Sequence, residues 1–320
     1  MPSATALRPQ YLDEMIGQEK IRRKARIAIS SAMHRGEPLG HCLLTSTGGG
    51  LGKSTMATCL ANEMYQPLVS TSGQCVNTAT DLRNILVRLK PGTMLLIDEC
   101  HCLGRVAAEE LLLVLEEGVL NVNLGKNSTP IRIRVPPFTL IAATTQPSTL
   151  SGPLTQRFGL HFQFGFYSVD ELRMIISNAT ERMDVEFDDG VCIELARRAR
   201  GVPRIALRLT ERVRDFVHAK QLRRATAADL IDAMDLEGID QQGLHEADRT
   251  ILNALLEAEP RPVSARSLAL VLGAATETVA EVLEPTLVRL GFVTIGAGGR
   301  RLTDKGREHI ESATMMRDAS

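Results

Sequence analysis

A glycine-rich stretch that ends in Lys-Ser-Thr is the part of this sequence best suited to chemistry. It spans residues 45–55, after an apolar segment that predicts a buried strand (41–44) and before a segment that predicts a helix (56–63). A glycine turn between a strand and a helix presents backbone N–H groups and a helix N-terminus to an anion, which suits a phosphate chain. Lys53 would add a positive charge at the outer phosphates, and the Ser54 hydroxyl would ligate Mg²⁺.

This loop departs from the usual phosphate-binding pattern at one position. The pattern has a glycine six residues before the lysine, but the residue there is Thr47, and the nearest glycine is Gly48. We therefore expect a loop that either bends differently or holds phosphate less firmly. The alternative is a chance Gly-Lys-Ser in a glycine-rich loop, and the segments that follow argue against it.

Two carboxylates end a second apolar segment. Residues 93–97 predict a buried parallel strand, and Asp98 and Glu99 follow it. Ligand crevices in open parallel sheets lie at the carboxyl ends of the strands. Asp98 is therefore predicted to hold Mg²⁺, usually through water, and Glu99 to orient or deprotonate an attacking water. The alternative is a strand that happens to end in acids at a helix N-cap.

Three further residues could act on a phosphate. Thr145 ends a third apolar strand (138–145) and could hydrogen-bond the phosphate or the attacking water. Arg157 follows a loop rich in Pro, Gly and Ser, and could reach a phosphate across a subunit boundary, although a surface arginine is more often simply solvated. Arg204 begins a predicted helix, where a cation opposes the helix dipole unless an anion lies nearby.

Composition restricts the class of protein. The chain has 320 residues, enough for two or three domains, and a hydrophobic fraction of 44% with only 3% aromatics, so its cores must be aliphatic. A net charge of −1 gives no overall attraction to nucleic acid. Most of the six cysteines lie in apolar runs, which is typical of reduced packing residues, and Cys100-His101-Cys102 lacks the paired spacing of a zinc site. With no signal peptide or long apolar span, we expect a soluble cytoplasmic protein without membrane contact.

The remaining elements suggest a multidomain chain. Helices are predicted over 19–35 and 106–117, a hairpin over 119–124 and 131–135, and a helical region without strands over 169–237, in which Thr226 caps a short helix. After a linker (238–244), helices over 247–257, 264–272 and 276–290 precede a terminal hairpin, which is typical of a winged helix. Acidic residues outnumber basic ones in this last region, so a protein-contact role is the alternative to DNA binding.

The order of these pieces resembles one family closely. The motifs that carry the resemblance are Leu7-Arg8-Pro9, Ile16-Gly17-Gln18-Glu19, Gly50-Leu51-Gly52-Lys53, Ile97-Asp98-Glu99-Cys100-His101, Pro136-Pro137-Phe138-Thr139-Leu140-Ile141, Ala143-Thr144-Thr145, Arg157-Phe158-Gly159, Pro203-Arg204-Ile205-Ala206, Arg212-Val213-Arg214-Asp215-Phe216 and Glu284-Pro285. From Leu7 to about Ile310, the chain resembles the RuvB family, bacterial AAA+ motors that drive branch migration of Holliday junctions. The resemblance implies an α/β P-loop AAA+ domain (1–167), a helical lid (168–240), a winged-helix DNA-binding domain (241–313) and a tail (314–320).

The resemblance also implies roles for individual residues toward ATP and Mg²⁺. Asp98 and Glu99 would be the Walker B pair, Thr145 the first sensor, Arg157 the arginine finger and Arg204 the second sensor. The other nucleotide contacts that it implies are Leu7 and Arg8 beside the adenine, Gly50, Gly52, Lys53, Ser54 and Thr55 at the phosphates and metal, Glu116, Glu117 and Gly118 at a helix end, and Tyr167. Family members act as homohexameric rings on branched duplex DNA with a junction-binding partner, RuvA, which the hairpin over 119–131 would contact.

Three departures from the family pattern bear on activity. The family loop reads G-P-P-G-L-G-K, whereas residues 47–53 read T-G-G-G-L-G-K and the loop is one residue longer, so ordering it around nucleotide should cost more entropy. The family arginine after the sensor threonine is Gln146. In the wing only Arg300 remains of the family's basic residues, so this predicted DNA contact should be weaker.

These inferences favour an ATP-hydrolysing DNA motor for Holliday junctions in recombination and repair. A divergent AAA+ adaptor that binds nucleotide but hydrolyses it weakly is the alternative, which Thr47 and the neutral wing favour. A third possibility is a DNA-binding module on an inactive ATPase-like scaffold.

Overall fold

The computed structural model describes residues 7–122 and 131–318, with the backbone alone from 313 onward. The chain divides into two compact units, one up to Arg224 and the other from Ala225. Among the described residues, no helix is both long and apolar enough to cross a membrane.

A five-stranded parallel sheet forms the centre of the first unit. The strands up to residue 164 are β1 (Cys42–Ser46), β2 (Leu68–Ser72), β3 (Met94–Asp98), β4 (Val119–Val122), β5 (Ile131–Arg134), β6 (Thr139–Thr144) and β7 (Leu160–Phe164). The parallel sheet has the order β2-β3-β6-β1-β7, and β4 pairs with β5 as an antiparallel hairpin. This confirms the predicted parallel sheet and the paired segments of the predicted hairpin; its predicted turn lies outside the described residues.

The register of the sheet aligns the carboxyl ends of its central strands. Thr45 of β1 pairs with Thr144 of β6, and Ile97 of β3 pairs with Ala142. Every residue of β6 is buried, as expected for a strand covered on both faces. The residues that follow β1, β3 and β6 therefore meet at one edge of the sheet.

Helices surround this sheet and continue beyond it. They are α1 (Glu19–Arg35), α2 (Lys53–Glu63), α3 (Ala79–Leu86), α4 (Arg105–Glu117), α5 (Gly152–Gln156), α6 (Val169–Arg182), α7 (Asp189–Arg198) and α8 (Pro203–Ala219). Leu82 of α3 and Leu111 of α4 pack with Leu95 and Ile97 of β3 in one buried hydrophobic cluster. Capping boxes at Thr78 and Ser168 start α3 and α6 by satisfying N–H groups that have no helical partner.

The prediction of a strand-free region over 169–237 was wrong in one detail. Two-residue strands β8 (Glu186–Phe187) and β9 (Arg224–Ala225) pair with each other. Strands this short cannot show the alternation of apolar and polar residues that marks a strand in sequence.

The second unit contains the predicted winged helix. Its elements are α9 (Ala227–Leu236), capped by Thr226 as predicted, then α10 (Glu246–Ala258), α11 (Ala265–Leu272), α12 (Thr276–Thr278), a π-helical segment (Val279–Leu283), α13 (Glu284–Arg289), the wing strands β10 (Val293–Gly296) and β11 (Gly299–Leu302), and α14 (Asp304–Asp318). The single helix predicted over 276–290 is interrupted because Pro285 has no N–H to donate to the preceding turn. Helix α14 was not predicted, and it continues into the residues assigned to a tail.

Candidate nucleotide-binding site

The glycine-rich loop leads from β1 directly into α2. The strand extends to Ser46, two residues beyond the predicted segment, and the helix begins at Lys53, three residues before it. Gly50 (φ 79°) and Gly52 (φ 104°) adopt left-handed conformations that favour glycine. A Cβ on Gly50 would also lie 2.7 Å from the Cβ of Arg204, so this glycine permits the loop to approach α8 closely.

Lys53 carries a positive charge into a buried position. Lys53 is only 6% exposed, and its Nζ donates to the Ser46 hydroxyl at 2.7 Å. Ser46 in turn donates to the Gly48 carbonyl at 2.6 Å. Burial lowers the pKa of Lys53, although the carboxylates of Glu99 and Asp98 oppose that shift. A buried ammonium whose hydrogen-bond partner is a neutral hydroxyl is well placed to bind an anionic ligand.

The predicted acids lie beside this loop. The Ser54 hydroxyl donates to Asp98 Oδ2 at 2.9 Å, and the backbone N–H of Glu99 donates to Asp98 Oδ1 at 3.0 Å. Thr145 donates to Glu99 Oε2 through its hydroxyl (3.1 Å) and its N–H (3.3 Å). The structure thus brings Ser54, Asp98, Glu99 and Thr145 together at the sheet edge where strands β3 and β6 end.

The backbone of Glu99 is unusual. Its φ of 48° lies in the left-handed region, which costs a residue with a side chain about 1 kcal/mol or more. Gly73 lies against it, since a Cβ there would be 2.3 Å from the Glu99 carbonyl oxygen. The turn that follows β3 therefore fixes the direction in which the Glu99 side chain leaves the strand.

A cavity of about 290 Å³ opens over this edge of the sheet. Predicted site residues supply much of its wall: Leu7, Arg8, Gly50, Gly52, Lys53, Ser54, Thr55, Asp98, Glu99, Tyr167 and Arg204. The wall also includes residues that the sequence reasoning missed: Pro9, Glu14, Met15, Ile16, Gly49, Ile175, Asn178, Ala179, Arg182, Pro203, Leu207, Arg208 and Glu211. On α6 and α8 the missed residues recur every three to four positions, so a one-sided helical pattern was the available signal.

Tyr167 and Arg204 connect the loop to the helical part of the first unit. The Tyr167 hydroxyl donates to the Leu51 carbonyl at 3.5 Å, and burial raises the pKa of Tyr167 to about 12, so it stays a neutral donor. The Arg204 N–H donates to the Gly50 carbonyl at 3.4 Å, in the first turn of α8. Both contacts place these predicted residues where a ligand in the loop would meet them.

Four predicted nucleotide contacts lie outside this cavity. Arg157 forms an ion pair with Glu116, and both side chains are partly exposed (43% and 36%). Glu117 pairs with Arg132, and Gly118 ends α4 in a left-handed conformation. A role for these residues toward nucleotide therefore requires the nucleotide of another subunit.

Arg300, the predicted DNA contact, has a partner within its own unit. Its guanidinium donates to both carboxylate oxygens of Glu284, at 2.7 and 2.9 Å, and Glu284 is only 3% exposed. This two-pronged ion pair ties β11 to α13. This contact of Arg300 with Glu284 would compete with any contact between Arg300 and DNA. The neighbouring Arg301 is exposed.

The donor set of the cavity fits a magnesium nucleotide. Lys53 and Arg204 supply cations, the loop and the start of α2 supply backbone N–H groups, and Ser54 and Asp98 supply the oxygen ligands that Mg²⁺ prefers. Glu99 lies beside them, held by Thr145, and its carboxylate is a group that could accept a proton from water. This arrangement can bind a triphosphate and hydrolyse it.

Three family models match consecutive parts of the chain. A model described as "Holliday junction DNA helicase RuvB P-loop domain" matches residues 7–164, one for the RuvB AAA lid domain matches 167–240, and one for the RuvB C-terminal winged helix domain matches 241–311. Together they cover most of the sequence.

Relatives and solved structures agree with these matches. The RuvB subunit of the Holliday junction branch migration complex from Fervidobacterium nodosum is 41% identical over 97% of this chain and 90% of its own, and that from Fusobacterium nucleatum is 39% identical over 96% and 93%. The solved structure of the Thermotoga maritima RuvB Holliday junction branch migration motor is 38% identical and superimposes with a TM-score of 0.85, covering 95% of this chain and 98% of that one. The chain belongs to the RuvB family.

Proposed function

We propose that this protein is an ATP-driven motor for branch migration of Holliday junctions, working as a homohexameric ring. The observation that carries the proposal is the continuous set of contacts at one sheet edge: buried Lys53, Ser54 on Asp98, and Thr145 on Glu99. A module that only bound DNA would have no use for a charged lysine buried beside two carboxylates. The family membership supports the choice of branched DNA as the track.

Each residue of the site has a separate proposed role in binding or hydrolysing ATP. Lys53 and Arg204 would bind phosphate charge, Ser54 and Asp98 would hold Mg²⁺, and Glu99 would accept a proton from the attacking water. Thr145 keeps the Glu99 carboxylate in place. Leu7, Arg8, Gly50, Gly52, Thr55 and Tyr167 would enclose the base and the rest of the phosphate chain. Bound ATP supplies the phosphoanhydride bond whose cleavage drives the motion.

Completion of the site would need a second subunit. Arg157, with Glu116, Glu117 and Gly118, lies outside the cavity of its own chain and would act on nucleotide held by a neighbour. A ring places one such contact at every boundary between subunits. This is the reason to propose hydrolysis in an assembled ring rather than in a single chain.

We propose contacts with two partners. The hairpin of β4 and β5 would bind a RuvA-like junction-binding protein, and it offers Ile131 (47% exposed) and Ile133 (39% exposed) as apolar contacts. The winged helix would bind duplex DNA, with Arg300 as a predicted contact despite its ion pair to Glu284. The matched ranges of the family models support three domains over 1–167, 168–240 and 241–313.

Glu99→Gln tests the catalytic assignment. The amide keeps the size of the carboxylate but cannot take a proton, so we expect ATP to bind normally while turnover falls by about 100-fold or more. Binding is measured with a fluorescent ATP analogue and turnover by phosphate release, with and without four-way junction DNA. Unchanged turnover would contradict the assignment of Glu99. Wild-type protein that binds ATP but scarcely hydrolyses it would favour the adaptor instead.

A further inference from the structure

A histidine lies directly behind the proposed catalytic glutamate. A short 3₁₀ turn (Cys100–Cys102) follows Glu99 and brings the side chain of His101 back toward the sheet, where it is 14% exposed. Its Nδ1 lies 2.9 Å from Thr144 Oγ1 and 3.3 Å from Glu99 Oε2. One ring nitrogen thus faces the last residue of β6 and the glutamate at once.

The contacts to Glu99 converge on a single oxygen. Oε2 receives the hydroxyl and the N–H of Thr145 and faces His101 Nδ1. Among the described residues, these contacts leave Oε1 to accept a hydrogen bond from water at the cavity wall. Anchoring one carboxylate oxygen while the other stays available is the arrangement that a positioned general base needs.

The contacts of His101 indicate which ring nitrogen carries a hydrogen. A carboxylate oxygen accepts hydrogen bonds only, so Nδ1 must carry a hydrogen for its contact with Oε2 to be favourable. The same N–H can be shared with Thr144 Oγ1, which also accepts from the Gln146 N–H at 2.9 Å. Thr144 is fully buried, so this acceptor is rigidly held.

We propose that His101 is a positioning residue for ATP hydrolysis: its Nδ1–H, held by Thr144, fixes the Glu99 carboxylate so that Oε1 faces the attacking water. The inference rests on the proposed function, because it assigns a role within that reaction. His101 acts through Glu99 and does not line the cavity itself. Its removal should therefore slow the chemical step while leaving nucleotide binding intact.

Two substitutions at His101 test the contact of Nδ1 separately from any contact of Nε2. The side-chain amide of asparagine can place an N–H close to the position of Nδ1, whereas the longer glutamine places its amide near Nε2 instead. His101→Asn should therefore keep the contact with Glu99, and His101→Gln should lose it. His101→Ala cannot clash with its neighbours and serves as a second loss variant. His34→Asn, at an exposed residue in the last turn of α1, is the matched control.

The experiment measures kcat and KM for ATP, and binding of a fluorescent ATP analogue, in the full-length protein. We expect His101→Gln and His101→Ala to lower kcat about tenfold with KM and binding within about twofold of wild type, and His101→Asn to restore most of kcat. Equal kcat in all variants, equal loss in the asparagine and glutamine variants, or loss of nucleotide binding would overturn the proposal. A wild-type protein without turnover would instead overturn the proposed function.

Discussion

The Ser46 hydroxyl accepts a hydrogen bond from the buried Lys53 ammonium. Ser46 ends β1, and its hydroxyl bridges the lysine and the Gly48 carbonyl. The sequence predicted Lys53 as a phosphate ligand and identified the longer loop with Thr47. It could not predict the Ser46 contact, because the phosphate-binding pattern begins after this residue and the contact depends on how the extra residue folds.

His41 provides a pH dependence of stability at the scale of a single residue. Its Nδ1 accepts from the Leu140 N–H at 3.0 Å, so the ring is neutral in the folded state, and burial lowers its pKa from 6.5. Protonation is thus easier in the unfolded chain, so this residue stabilises the fold above pH 6.5 and the stabilisation is lost as the pH falls below that value.

His41→Asn should reduce this dependence. Asparagine can accept from the Leu140 N–H but does not titrate, so its unfolding free energy should fall less between pH 7 and pH 5 than that of the wild type. The difference in slope approaches about 1.4 kcal/mol per pH unit at most. Urea unfolding at several pH values measures it, with His34→Asn as the exposed control. Parallel wild-type and His41→Asn curves would show that His41 is not the responsible group.

At the scale of elements, buried strands were predictable and edge strands were not. Strands β1, β3 and β6 are apolar runs that are covered on both faces, so their sequences marked them clearly. Strand β7 lies at one edge of the sheet and alternates polar His161 and Gln163 with buried Phe162 and Phe164, whereas β2, at the other edge, has no buried residue. The local sequence pattern located neither strand. The order of the strands follows from pairing across the sheet, which local patterns do not specify.

The wing depends on one buried ion pair between elements. Arg300→Met would leave the Glu284 carboxylate buried without its partner, which should cost about 3–5 kcal/mol of stability. Adding Glu284→Leu should restore much of that loss, because two apolar side chains then replace the pair. Thermal and urea unfolding of the full chain measure both changes.

Arg301→Met is the matched control, since Arg301 is exposed in the same strand and its loss should change stability by less than about 0.5 kcal/mol. If Arg300→Met unfolds like the wild type but binds duplex DNA more weakly, then Arg300 contributes to DNA binding rather than to the stability of the wing. That result would support the role predicted from sequence.

At the scale of the whole molecule, the proposed site has a part within one chain and a part that we propose a second subunit supplies. Lys53, Ser54, Asp98 and Glu99 line one cavity at the sheet edge, and Thr145 donates to Glu99. Arg157 and Glu116 instead pair with each other outside it. Nothing in the local sequence distinguishes an arginine that acts on a neighbour from a solvated one, so the loop before Arg157 left both interpretations open and the family resemblance favoured the first.

Mixing two inactive variants tests the shared site. Arg157→Ala and Glu99→Gln should each abolish turnover alone while both bind ATP. In a ring mixed one to one, about a quarter of the boundaries combine an intact Glu99 with an intact Arg157, so about that share of turnover should return. Phosphate release after mixing measures it, and mixing either variant with itself is the control. No recovery from a mixed ring would place Arg157 outside the reaction of its neighbour.

The most direct test of the central claim is conversion of a synthetic four-way DNA junction to its duplex products, followed by gel separation with ATP and Mg²⁺ present and a RuvA-like partner supplied. We predict conversion by the wild type that requires ATP and disappears in Glu99→Gln, while that variant still binds nucleotide. Conversion by Glu99→Gln at the wild-type rate, or ATP turnover by the wild type with no conversion of the junction, would contradict the account.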